Sequence, residues 1–276
     1  MRTLNIIGCG RVGRTLGRLW QAQGTWVVQD VATRSAASAQ EAIAFIGAGR
    51  AVTQCDNMRP ADAWMLAVPD RDIAGVAAGL TQRRGTAAPA LAFHCSGALG
   101  SDALAALKML GWQTASAHCL LSFASPAAAL TQFAGTPCAL EGDATATDLL
   151  ATAFSQIGGR CFALASKDKL LYHAGAVFAT NFLPVLQSVA QHMWRDSGMP
   201  DDMIEPLQAR LLDNAVANLL ALGPAGALTG PAARGDQALV QMQAQTVREW
   251  DATTGAAYQS LSELATRLAL QQPKIG

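Results

Sequence analysis

The sequence predicts an α/β protein in two parts, a doubly wound parallel sheet covered by helices and then an all-helical C-terminal domain. Three observations predict it. Over residues 1–165 short β-rich runs alternate with helical stretches. From 166 to 276 the β-like runs stop and long amphipathic segments replace them. A glycine-rich turn also stands where the first strand meets the first helix.

The strands are read at 4–7, 27–33, 63–68, 91–94, 114–118, 137–140 and 161–164. The first helix spans 11–23 and sets Val12, Leu16, Leu19 and Trp20 on one face at helical spacing. A second starts at Ser38, with Glu41 three residues on as a capping box, and stops at Gly47. Asp70 is read as the cap of a third helix that follows Pro69. The helical half consists of segments 167–195, 201–222 and 236–270, broken by Gly198-Met199-Pro200 and by 223–235. No internal repeat or low-complexity tract interrupts this plan.

Composition removes several classes of function. Of 276 residues, 51% are apolar, and twenty basic side chains balance twenty acidic ones. Without a net field, nucleic acid and an anionic membrane surface are not expected as partners. No apolar run approaches the ~20 residues of a bilayer span. Met1-Arg2-Thr3-Leu4 leads straight into a strand, unlike a signal peptide, so a cytoplasmic protein is expected.

Six cysteines lie scattered without Cys-x-x-Cys spacing and read as small buried hydrophobes, although Cys9, Cys95 and Cys119 fall in loops at strand ends. His94, His118 and His173 come from separate elements without ligand spacing, so no metal is expected.

Gly8-Cys9-Gly10-Arg11-Val12-Gly13 fits G-x-G-x-x-G. Because it follows an apolar strand and opens an amphipathic helix, it reads as the pyrophosphate turn of a Rossmann-type domain. Gly8 would permit the turn, Gly10 the approach of phosphate and Gly13 the packing of helix on sheet. The end of the second strand chooses the dinucleotide. If the strand runs to Thr33, Asp30 is mid-strand, and Thr33-Arg34-Ser35 would hold the extra phosphate of NADP. If it ends at Gln29, Asp30 would hold the ribose of NAD. NADP is the expectation. Ligands in such sheets lie over the carboxyl ends of the strands, so Val68, Pro69, His94, Ser96 and Gly97 should border the cofactor and His118 the substrate.

In the helical half, Lys169, His173 and Asn181 share roughly one stripe, Asn214 sits mid-helix, and Arg234 lies in the turn-rich stretch 228–236 with Thr229. Asp236 is poised as a helix N-cap.

Together with GCGRVG, TRS, HCSG, LEGD, DKLLYHAGAVFATNFL and LTGPAARGD, these features make the chain resemble a known family. Its members are predicted oxidoreductases that join an N-terminal Rossmann-like domain to a helical C-terminal domain of unknown function. More distantly the chain is similar to 6-phosphogluconate-dehydrogenase-like enzymes, among them β-hydroxyacid dehydrogenases, pyrroline-carboxylate reductases and deazaflavin-dependent NADP reductases.

The resemblance implies an NADP-dependent oxidoreductase that exchanges a hydride with a small polar substrate in an interdomain cleft. Lys169 or His173 would donate or accept the proton and Asn181 would orient the substrate, with Asn214, Thr229, Arg234 and His118 also binding it. β-Hydroxyacid dehydrogenases carry a Lys and, four residues on, an Asn; here His173 stands in place of that Asn. Cys119 follows His118 where relatives tend to show His-Pro. The resemblance also implies a homodimer through the helical domain. A reading from another class is a non-catalytic NADP-binding sensor or scaffold.

Overall fold

The central apolar runs of the first half pair side by side and carry residues that are buried on both faces. The computed structural model describes residues 1–82 and 90–271. In chain order the first half runs β1 (Arg2–Ile7), α1 (Arg11–Gln23), β2 (Trp26–Ala32), α2 (Ala36–Ile46), β3 (Arg50–Val52), β4 (Ala63–Leu66) and α3 (Asp70–Thr81). It continues with β5 (Leu91–His94), α4 (Ala105–Lys108), β6 (Gln113–Cys119), α5 (Pro126–Gln132), β7 (Pro137–Gly142), α6 (Ala144–Gln156) and β8 (Arg160–Ala163).

Among the described residues one eight-stranded sheet forms, in the order β3-β2-β1-β4-β5-β6-β7-β8. The first six strands are all parallel, in the doubly wound order with its switch point between β1 and β4. β7 runs antiparallel to β6, and β8 runs parallel to β7.

Two apolar layers cover the faces. On one face Trp20 of α1 is fully buried against Trp26, Phe93 and Phe154, and its Nε1 donates to the Ala153 carbonyl at 3.0 Å. On the other, α3 and α4 pack Ile73, Ala77, Leu80 and Leu107 near Trp64 and Trp112.

Several helix limits differ from the sequence reading. Ser35, not Ser38, caps α2, its hydroxyl accepting the Ser38 amide at 3.2 Å. With Ser35 as the cap, Ser38 lies inside the first turn. Pro69 stands at the cap of α3, and Asp70 turns its carboxylate to Ser96 instead. β3 went unread because three residues carry no periodicity.

The helical half comprises α7 (Lys169–Ala176), α8 (Phe182–Asp196), α9 (Asp201–Ala227), α10 (Gln237–Trp250) and α11 (Ala252–Ala269). The segment read as 236–270 is two helices, divided where Asp251 becomes extended and caps α11 by accepting the Thr254 amide at 2.7 Å. α9 passes residue 222 through a kink at Gly223, whose φ is 70°. A π-helical turn, Val177–Asn181, separates α7 from α8. Asp236 does cap α10, accepting from the Leu239 amide at 3.1 Å.

The chain divides into two compact units, Met1–Thr180 and Asn181–Gly276. Strand and helix stop alternating near residue 165. The first unit nevertheless extends to Thr180, and Lys169 and Tyr172 of α7 bond to Ser116 and His118 of β6 and to the Ser96 carbonyl in the loop after β5. No described helix is long and apolar enough to cross a membrane.

Candidate cofactor and active site

Gly8 turns the chain out of β1 with φ +73°, and its N–H donates to the Ala32 carbonyl at 2.8 Å. A Cβ there would lie 2.5 Å from Val68 Cγ1 and 2.8 Å from the Ala67 carbonyl oxygen, so glycine is required on both counts. At Gly10 the place of a Cβ has no neighbour within 4 Å. No side chain caps α1, and its first amides, at Arg11, Val12 and Gly13, begin beside that open space. Uncapped amides with the positive end of a helix dipole fit a pyrophosphate. At Gly13 a Cβ would meet the Gly8 carbonyl at 3.0 Å, which marks the close packing of helix on turn.

At the tip of β2 Thr33 donates its hydroxyl to the Ser35 carbonyl at 2.8 Å. Arg34, between them, is exposed, and no ion pair among the described residues engages it. β2 runs on to Ala32, so the condition for Asp30 as a ribose ligand is not met.

Asp30 is instead fully buried. Its carboxylate takes Arg59 Nη2 at 2.6 Å, Arg50 Nη2 at 3.0 Å and the Arg59 amide at 2.6 Å. Burial pushes its pKa up, but the hydrogen bonds from Arg59 and Arg50 outweigh that and hold it below the usual carboxylate range.

Across the carboxyl ends of β5 and β6 a second set of polar groups converges. The Ser96 amide donates to His94 Nδ1 at 3.2 Å, so Nε2 carries the proton and donates to the Gly100 carbonyl at 2.9 Å. With both nitrogens spent and no exposed surface, His94 holds the loop together. Ser96 is spent as well: its hydroxyl donates to Asp70 Oδ2 at 2.7 Å and accepts the amides of Ala98 and Leu99.

Lys169, 1% exposed, passes its Nζ under this loop to the Ser116 hydroxyl at 2.7 Å and the Ser96 carbonyl at 3.2 Å. Burial pushes its pKa down, while the more distant Glu141 and Asp70 charges oppose that.

Gly97 forms the crest of the loop. A Cβ on it would lie 2.5 Å from His173 Nδ1 and 2.8 Å from His118 Nε2, so both imidazoles close on the glycine. Their rings meet edge to face at 5.5 Å. His118 Nδ1 is 3.0 Å from Tyr172 Oη, and His173 Nδ1 is buried without a hydrogen-bond partner. The pKa of His118 is pushed down to about 4 by burial, with His173 and Lys169 adding to the effect.

Thus Lys169, His173 and His118 do come together, with Gly97 and Ser96. Asn181 ends the π-helical turn and is exposed. Asn214, Thr229 and Arg234 belong to the second unit, where all three are exposed and Asn214 accepts Asn218 Nδ2 at 2.6 Å.

The sequence reading missed Ser116 and Tyr172. A serine inside the buried run Thr114-Ala115-Ser116-Ala117 was a usable signal, because a polar group there must find a partner. Tyr172 gave none.

A parallel sheet in this order with a glycine turn at its switch point defines a Rossmann-type protein. Residues 2–119 match the model of a Rossmann-like domain, and residues 136–265 match that of DUF2520, a domain of unknown function. The chain thus carries a Rossmann-like domain followed by a DUF2520 domain.

No curated protein matches the chain. Among solved structures, protein TM1727 from Thermotoga maritima is similar at 24% identity and TM-score 0.74, covering 97% of this chain and 98% of that one. BF3122 from Bacteroides fragilis, assigned as an NADP oxidoreductase, is similar at 20% identity and TM-score 0.73, covering 96% and 98%. The Plasmodium falciparum pyrroline carboxylate reductase, solved with NADP bound, is similar at 10% identity and TM-score 0.56, covering 97% and 98%.

Proposed function

We propose that this protein is an NADP-dependent oxidoreductase acting on a small polar substrate. The observation that carries the cofactor reading is the fate of Asp30: two guanidiniums consume the carboxylate that NAD would need, while Arg34 stands exposed at the strand tip. The open space at Gly10 and the uncapped start of α1 fit the pyrophosphate. The similar structures assigned as an NADP oxidoreductase and solved with NADP support the same reading.

When bound, NADP supplies or accepts a hydride at its nicotinamide ring. The chain's own part is to bind and to handle the proton. Gly8, Gly10, Arg11, Val12 and Gly13 would cradle the pyrophosphate, and Thr33, Arg34 and Ser35 the ribose phosphate. Val68, Pro69 and Gly97 would border the ring. His118 and His173 would hold the reacting polar group, and Lys169 would hold or release a proton at Nζ. A neutral amine suits that role here: its two N–H groups satisfy Ser96 and Ser116 and a lone pair remains. Asn181, Asn214, Thr229 and Arg234 are retained as substrate ligands on the resemblance alone.

The burial of Lys169 favours one second reading, a non-catalytic NADP-binding sensor in which the lysine only ties α7 to the sheet. Calorimetric titration with NADP(H) and NAD(H) tests the first step: binding of NADP(H) ahead of NAD(H) is expected, and no heat from either ends the proposal. A screen of small keto acids, imines and hydroxy acids, followed by NADPH absorbance, separates enzyme from sensor.

The protein would act as a homodimer through its helical domain. Among the described residues of the second unit only Ile204 and Gly255 are buried, while Val185, Leu186, Leu219, Leu220 and Leu222 are exposed. Such a surface needs a cover.

A further inference from the structure

We propose that Tyr172 is a positioning residue that fixes His118 as the Nε2–H tautomer, so that a neutral imidazole presents a hydrogen-bond donor beside Gly97. This rests on the reading above that the carboxyl end of the sheet is the working end.

The argument is one of counting protons along a single contact. Tyr172 Oη and His118 Nδ1 stand 3.0 Å apart, with the rings edge to face at 5.5 Å and 88°. Burial, reinforced by the nearby Cys119 and Cys138, drives the phenol well above its ordinary pKa, so Oη keeps its proton. Burial next to His173 and Lys169 keeps His118 neutral, so one ring nitrogen bears hydrogen and the other a lone pair.

If Nδ1 bore the hydrogen and donated to Oη, the phenolic proton would need a second acceptor. Tyr172 makes no other hydrogen bond among the described residues. The arrangement that satisfies both groups has Oη donating to Nδ1, which leaves the hydrogen on Nε2. In a histidine the bond made at one nitrogen sets what the other can do.

That Nε2 lies 2.8 Å from the place a Gly97 Cβ would take, and the unpartnered His173 Nδ1 lies 2.5 Å from the same place. A neutral imidazole donor polarises an acceptor without itself giving up a full proton. The group that His118 meets is therefore an acceptor: a carbonyl oxygen, an imine nitrogen or a carboxylate oxygen. An ammonium finds no lone pair on His118 Nε2.

The test is nitrogen-15 NMR of the full chain with labelled histidine, near pH 7 and without nucleotide, with His118→Gln assigning the signals. A pyridine-type Nδ1 and a pyrrole-type Nε2 are expected for His118. In Tyr172→Phe the pattern should shift towards a protonated Nδ1 or a mixture of tautomers. A pyrrole-type Nδ1 in the native chain overturns the proposal, and so does an unchanged pattern in Tyr172→Phe. Should that variant fail to fold, the native spectrum still decides. Nucleotide titration is read separately, so a protein with this tautomer that binds no nucleotide loses the proposed function and keeps the Tyr172 assignment.

Discussion

Lys169 Nζ lies 2.7 Å from Ser116 Oγ, and neither that hydroxyl nor the Ser96 carbonyl at 3.2 Å bears a charge. A buried lysine held only by neutral acceptors keeps a depressed pKa. Between that value and the unfolded one, about 10.4, the unfolded chain binds more protons than the folded one. Stability should therefore rise with pH across the window, with the full burial penalty present below it. Urea unfolding in steps from neutral pH to about pH 10 should show the native chain gaining on Lys169→Met. Parallel profiles for the two would remove the buried ammonium from the account.

Asp30 leads to predictions of stability and of cofactor choice together. Asp30→Asn removes the charge that Arg50 and Arg59 share, at a cost of about 1.5–3 kcal/mol, the range for a hydrogen bond to a charged group. Its folded pKa is depressed, so its contribution is present above the unfolded value of about 3.9 and is lost as pH falls through the folded one. Denaturation midpoints on the acid side should converge for native chain and variant. Asp30→Asn should leave the NADP preference intact.

Arg34→Ala tests the other side of that choice. Losing one charge-assisted contact should weaken NADP roughly tenfold to a hundredfold and leave NAD unchanged. Equal weakening of both nucleotides would show that Arg34 does not read the phosphate.

The sheet was legible because buried strands leave continuous apolar runs and the glycine turn sits at a fixed place between strand and helix. The site was legible only where a residue type announces itself. Gly8 and Gly10 stand in a spaced motif, and Lys169 and His173 interrupt an apolar helix. The hydrogen bonds of His94 were not legible, because a histidine at a strand end looks the same in sequence whether it faces a ligand or spends both nitrogens on its own loop. The π-helical turn before Asn181 was not readable either, since nothing in Val177–Asn181 departs from ordinary helix composition.

Gly97→Ala should separate site from fold. The added methyl would lie 2.5 Å from His173 Nδ1 and 2.8 Å from His118 Nε2, so both rings must move. Overpacking of this kind costs about 1–3 kcal/mol, yet the glycine turn at Gly8 is untouched. Nucleotide affinity through the pyrophosphate should persist while any turnover found for the native chain collapses and the His118 and His173 ring signals shift. Full turnover in Gly97→Ala would place the chemistry elsewhere.

The helical domain supplies the last prediction. Leu220 is 82% exposed and Leu222 61% exposed. Leaving several such leucines in water forgoes about 1.5–3 kcal/mol each, which a two-fold contact with a second copy would recover. Light scattering during size exclusion should return about twice the 28.7 kDa of one chain. Leu220→Glu would place a carboxylate in that contact and should weaken the dimer by roughly tenfold to a hundredfold, since 1.4 kcal/mol is a factor of ten. Because the side chain is exposed in the single chain, the first unit should stay folded in the variant, and calorimetric NADP binding reports whether it has. A native chain that runs as a monomer at micromolar concentration would refute the contact outright.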